Sequence, residues 1–231
     1  MRGYLTRSEI KMYAIFVLTL LPIAVLCYNK SLYIGTISSF WLMAILILML
    51  AGSFIEIPIK TIRTIKNEQL SRFAPIMEEI YAVPLTSELN NGKERVFDTT
   101  ITLNLGGFVI PGISILYLLL TQPNNTALEI MLIIIVAVTL LSDIVNGIGI
   151  VVPEYIGILA IPFALLITPQ EAAPITFIAG IGGILLGTIA LTVTFNKEKY
   201  GSAYLNIGGA GSFKAIYVAA LIASLLSYFA S

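Results

Sequence analysis

Seven apolar runs, each close to the length that crosses a bilayer, recur along this chain of 231 residues and constrain it more than any motif does. About 30 Å of hydrocarbon takes roughly 20 apolar residues to cross, and backbone in lipid must satisfy its own hydrogen bonds. The runs lie near 12–28, 33–59, 101–120, 127–148, 150–167, 172–195 and 205–229. They predict an all-α polytopic membrane protein of about seven transmembrane helices. Residues 1–231 then form a single integral membrane domain, with 60–98 as a cytoplasmic-side insertion. A composition 58% hydrophobic and 11% charged agrees, since a soluble domain carries far more charge.

Cations orient the runs. Arg2, Arg7 and Lys11 precede the first; Lys60, Arg63, Lys66, Arg72, Lys93 and Arg95 separate the second from the third; Lys197 and Lys199 separate the sixth from the seventh. The opposite loops hold only Lys30. The expected topology is multi-pass in the cell membrane, amino terminus cytoplasmic and carboxyl terminus outside. The amino-terminal stretch begins like a signal peptide but lacks a small-residue cleavage site, so it is expected to remain as the first span. Within the insertion, Ile59, Ile62 and Ile65 recur at helical spacing among cations and predict an amphipathic helix on the inner face over Lys60 to Arg72. Two β-prone runs around Asn90-Asn91-Gly92 then predict a hairpin.

Histidine is absent, which removes Ser-His hydrolysis, HExxH zinc chemistry and histidine-ligated haem. One cysteine, Cys27, cannot form an intrachain disulfide. Thirteen cations balance thirteen acids, so a nucleic-acid partner is not expected. Nothing in the sequence calls for a cofactor or a metal.

One short device appears twice. LNLGG opens the third run and LNIGG the seventh, and the even number of spans between them puts both on the inner side. Asn104, Gly106 and Gly107 form the first; Asn206, Gly208, Gly209, Gly211 and Ser212 form the second. A helix starting after such a segment leaves backbone N–H groups at the positive end of its dipole, a ready anion site used by broken-helix transporters. Glycine pairs also serve close packing, the reading given to Gly183 and Gly187 in AGIGGILLG. Lys214 lies about nine residues into the last run, which at 1.5 Å per residue puts it about 14 Å deep, close to the bilayer middle. A charge at that depth marks an ion or substrate path and wants a partner. Asp143 and Glu154 are the candidate counter-charges, with Asn146 beside them, whereas Glu56 is expected at the interface rather than in the site.

Asn104-x-Gly106-Gly107-x-x-Ile110-Pro111, together with Asn206-Ile-Gly208-Gly209-Ala-Gly211-Ser212-Phe213, resembles an uncharacterised family of prokaryotic multi-pass membrane proteins, a domain of unknown function. The resemblance runs from about Tyr81 to the carboxyl end. It implies a membrane architecture in which the glycine motifs matter. The family pattern places an acid after the phenylalanine, where this chain has Lys214.

The function expected is transport or conduction of a small solute or ion, an anion in the first place, with the NxGG helix starts as its inner entrance. Its partners would be the lipid bilayer and that solute, with a homo-oligomer left open. Two alternatives stand beside it. An intramembrane aspartyl protease would use Asp98 and Asp143, the only aspartates. A non-catalytic scaffold would use the cytoplasmic insertion for docking.

Overall fold

A computed structural model describes residues 7–65, 70–81, 96–146, 148–196, 201–202 and 204–229. The fold is mostly helical with a few strands. Each of the seven apolar runs contains a helical stretch. Two of these, Glu9–Tyr28 and Pro169–Val193, are long and apolar enough to cross a membrane, and the other five span 10–17 residues.

Helix α1 (Arg7–Tyr28) buries one stripe, Phe16, Leu20, Ile23 and Cys27, at spacings of three and four. Its opposite face exposes Ile15, Leu18, Leu21 and Val25, apolar side chains that water would not favour. Helix α2 (Ser39–Gly52) stops at a glycine and a serine, and strand β1 (Glu56–Ile65) follows. This corrects the expected inner-face helix over Lys60 to Arg72. Pro58 removes a helix donor, the run is rich in β-branched residues, and Ile62 and Thr64 turn inward while Thr61 and Arg63 turn outward, a period of two. The amphipathic helix lies further on, as α3 (Leu70–Tyr81). The turn Asn90-Asn91-Gly92 lies outside the described residues, and the strand after it pairs elsewhere.

That strand, β2 (Val96–Asn104), runs antiparallel to β1, with a bulge between Pro58 and Lys60. Pro58 is tolerated because β1 is an edge strand. A π-helical turn, Leu105–Val109, then leads into α4 (Ile110–Thr121). Helix α5 (Asn125–Leu141) ends in the hairpin β3 (Asp143–Val145) and β4 (Gly149–Val151), so strands replace the adjoining ends of the fourth and fifth runs expected at 127–148 and 150–167. A 3-10 turn, Ile156–Leu159, begins α6 (Ala160–Ile167).

The stretch Pro169–Val193 is the central helix, 72% buried over its most apolar window against 22% for the first. It contains α7 (Ala172–Thr176), a π turn and α8 (Gly182–Val193). The glycine stripe of α8 packs as expected: a Cβ on Gly183 would come within 2.5 Å of the Ile134 Cβ, and one on Gly187 within 2.6 Å of Val138. Gly183→Ala should therefore lower stability by about 1–3 kcal/mol, read as an earlier thermal midpoint in detergent. An unchanged midpoint would mean that α5 and α8 are further apart. Strand β5 (Tyr204–Ile207) joins β2 in parallel, and α9 (Phe213–Phe229) closes the chain with its apolar side deep in the core.

Candidate functional site

The two motifs predicted from the sequence meet. Strands β2 and β5 pair Thr102 with Asn206 and Leu103 with Ile207, so both glycine pairs emerge at the same end of the sheet. A Cβ on Gly107 would overlap the Gly208 carbonyl oxygen, and one on Gly208 would lie 2.6 Å from the Gly107 carbonyl carbon and 2.7 Å from the Phe108 nitrogen. Gly208 and Gly211 also take φ of +77° and +90°, a region open chiefly to glycine. Gly106 packs on the last turn of α2, against the backbone of Met49 and Ser53.

Several N–H groups at these helix starts meet acceptors within the chain. Asn104 Oδ1 accepts from the Gly107 N–H at 2.8 Å, a side-chain cap on the first helix start. In the second, Ser212 and Phe213 donate to the Gly209 carbonyl at 3.1 and 2.8 Å. The close approach of two backbones explains Gly107 and Gly208, and of the expected donors it is the Gly107 N–H that meets an acceptor within the chain. Ser212 is buried, and its hydroxyl has no partner among the described residues.

A polar cluster forms where the motifs touch, and Glu56 is its hub. Asn104, fully buried, donates through Nδ2 to the Ser53 carbonyl at 2.7 Å and to Glu56 Oε1 at 3.1 Å. Thr102 Oγ1 lies 2.8 Å from Glu56 Oε2 and 2.6 Å from Asn206 Oδ1. A hydroxyl has one hydrogen to donate. The trio closes with the Asn206 amide turned about, so that its NH2 donates to Thr102 Oγ1 and the hydroxyl donates to Glu56 Oε2. Gly209 passes so close to Glu56 Oε1 that a Cβ there would overlap it. Sequence reasoning left Glu56 at the interface because it lies near the inner end of the second run. The available signal was its position as the first residue of a β-prone segment.

Lys214 is the second correction. Residues 204–207 are strand and 208–212 a turn, so Lys214 is the second residue of α9 and not a group 14 Å deep in a helix. Its Nζ contacts Glu154 Oε1 at 3.0 Å, with the two side chains 40% and 49% exposed. Of the two counter-charges expected, the structure thus pairs Glu154 with it. Asp143 stands exposed on β3, beyond the end of α5, rather than inside a helix. Asn146 accepts from the Gly201 N–H at 3.1 Å, steadying the approach to β5. Asp98 lies exposed on β2 with Arg63 Nε 3.7 Å away. The two aspartates of the protease reading thus occupy separate sheets.

Beside the Lys214–Glu154 pair is a cavity of about 170 Å3 at the head of α9, lined by Glu9, Glu154, Lys214 and the Gly209–Gly211 backbone among others. It has room for several waters or a small hydrated ion. Glu9 is buried, held in the first turn of α1.

A family described as a protein of unknown function (DUF1614) matches residues 50–226. The chain belongs to this family. Membership in an uncharacterised family was expected, but the match begins at residue 50 rather than near Tyr81. It takes in Ser53, Glu56, Asn104, Glu154, Asn206 and Lys214, and so the whole polar cluster of this DUF1614 chain; Glu9 and α1 lie before it. No curated protein and no solved structure matches the chain. Among the described residues, no group of three or more His, Cys, Asp or Glu is placed to hold a metal ion.

Proposed function

We propose that this DUF1614 chain is a seven-span protein of the cell membrane that conducts or transports a small ion or solute. Its amino terminus is cytoplasmic and its carboxyl terminus outside. The observation that carries this reading is the cavity at the head of α9, where Glu9, Glu154 and Lys214 face a space of ion size beside a glycine turn. Ionisable groups gathered where helices break within an apolar chain are a recurrent design of transport sites. The outward apolar faces of α1 and α5 support the membrane placement.

The Lys214–Glu154 pair is the natural first contact. A cation entering the cavity would displace Lys214 from Glu154, and an anion would displace Glu154 from Lys214.

Flux in proteoliposomes, under an imposed proton or salt gradient with panels of cations and anions, tests this. Lys214→Met should reduce flux at least tenfold while leaving the thermal midpoint nearly unchanged, because a half-exposed pair stabilises a fold by about 0–1 kcal/mol. Equal flux through both proteins would remove this cavity from the path. A well-folded wild type that moves no member of either panel would sink transport of those solutes.

A further inference from the structure

We propose that the groove between α1 and α9 is a binding site for one anionic phospholipid, its phosphate at Lys11 and Lys214 and one acyl chain along the groove. This rests on the membrane placement proposed above and not on ion flux.

The groove has a volume of about 480 Å3 and a polar head at one end, where Lys11, Lys214, Glu154 and Tyr155 gather. The rest is apolar, with Phe16, Ile23 and Leu221 in its floor and Ile15 and Leu225 on its open side. Helices α1 and α9 start at the same end, since the ring contacts advance together along both, Tyr13 with Phe213 and Phe16 with Tyr217. Both lysines thus sit near the starts of their helices, where headgroups would lie, and Tyr155, 67% exposed, is the amphipathic aromatic expected at that level.

Depth and charge select the occupant. From Lys214 to Leu225 the helix rises about 16 Å, close to half of a hydrocarbon core of about 30 Å, so the groove is as deep as one leaflet. An extended hydrocarbon chain laid along its apolar length, with a phosphate at the lysines, would match both that depth and the polar head. Two lysines against one carboxylate leave its head cationic, which suits a phosphate diester lacking a compensating ammonium. Glu154 and Lys214 also line the ion-sized cavity beside it, so a bound headgroup would compete for the same ion pair.

Native mass spectrometry of the full chain, released from detergent with phosphatidylglycerol and phosphatidylcholine of the same acyl chains at equal concentration, tests the site. Wild type should retain one phosphatidylglycerol with a preference on the order of tenfold, the scale of one to two basic groups near an anionic headgroup. The double variant Lys11→Gln/Lys214→Gln should keep a bound lipid but lose the preference. Leu225→Trp, and independently Ile222→Trp, should fill the groove and lose both lipids while the thermal midpoint holds. Equal retention of the two lipids by wild type, or none of either, overturns the proposal, as does tryptophan variants that bind like wild type. Protein recovered from membranes that retains no lipid sinks the groove alone; protein recovered without detergent from the soluble fraction sinks the membrane placement as well.

Discussion

Gly107→Ala should yield almost no stably folded protein. The methyl group would overlap the Gly208 carbonyl oxygen and lie 2.9 Å from Phe213 Cδ2, and the first of these neighbours is backbone that no rotamer change can move. Overpacking usually costs about 1–3 kcal/mol, but here relief requires the β2–β5 pairing or the head of α9 to shift, so we expect more than about 4 kcal/mol. Such a loss is comparable with the whole stability of many domains. The yield of monodisperse protein in detergent and the thermal midpoint report it. Gly112→Ala is the control: nothing lies within 4 Å of the added Cβ, and helix α4 should gain about 0.5–1 kcal/mol. If Gly107→Ala folds like wild type, the two motifs do not meet as described.

Asn104→Ala should show the second large effect, about 3–5 kcal/mol. Asn104 is buried and serves three partners at once: it caps the Gly107 N–H and donates to the Ser53 carbonyl and to Glu56. Losing a cap alone costs about 1 kcal/mol. The larger part comes from leaving buried groups without their partner, at about 1–3 kcal/mol each and not strictly additive. Asn104→Asp separates the roles. It keeps the acceptor for Gly107 but loses the donor, and it sets a second carboxylate beside Glu56, so it should be no more stable than the alanine variant. Wild-type stability in Asn104→Asp would show that the cap is the only contact that matters.

Read by itself, the sequence determined the helical runs, the membrane-like chemistry, the packing role of Gly183 and Gly187, and the importance of Asn104 and the glycine pairs. These follow from local quantities: the length and apolarity of a run, the period of a stripe, the cap that an asparagine provides before a helix. Glu154 was also legible as a candidate partner for Lys214, because few acids lie in the second half of the chain. The sequence marked the run that becomes β2 as β-prone but took β1 for a helix, since an isoleucine-rich segment such as EIPIKTIRTI satisfies an apolar helix and a β-strand equally well at short range. Its error in the depth of Lys214 follows directly, for a residue count measures depth only along a continuous helix. Tertiary structure decided that the two NxGG elements touch, because parallel strands pair residues about a hundred positions apart and leave no local trace of it. It likewise made Glu56 the hub of the polar cluster: a carboxylate at the edge of an apolar run becomes central only when β2 and β5 bring Asn104, Thr102 and Asn206 against it.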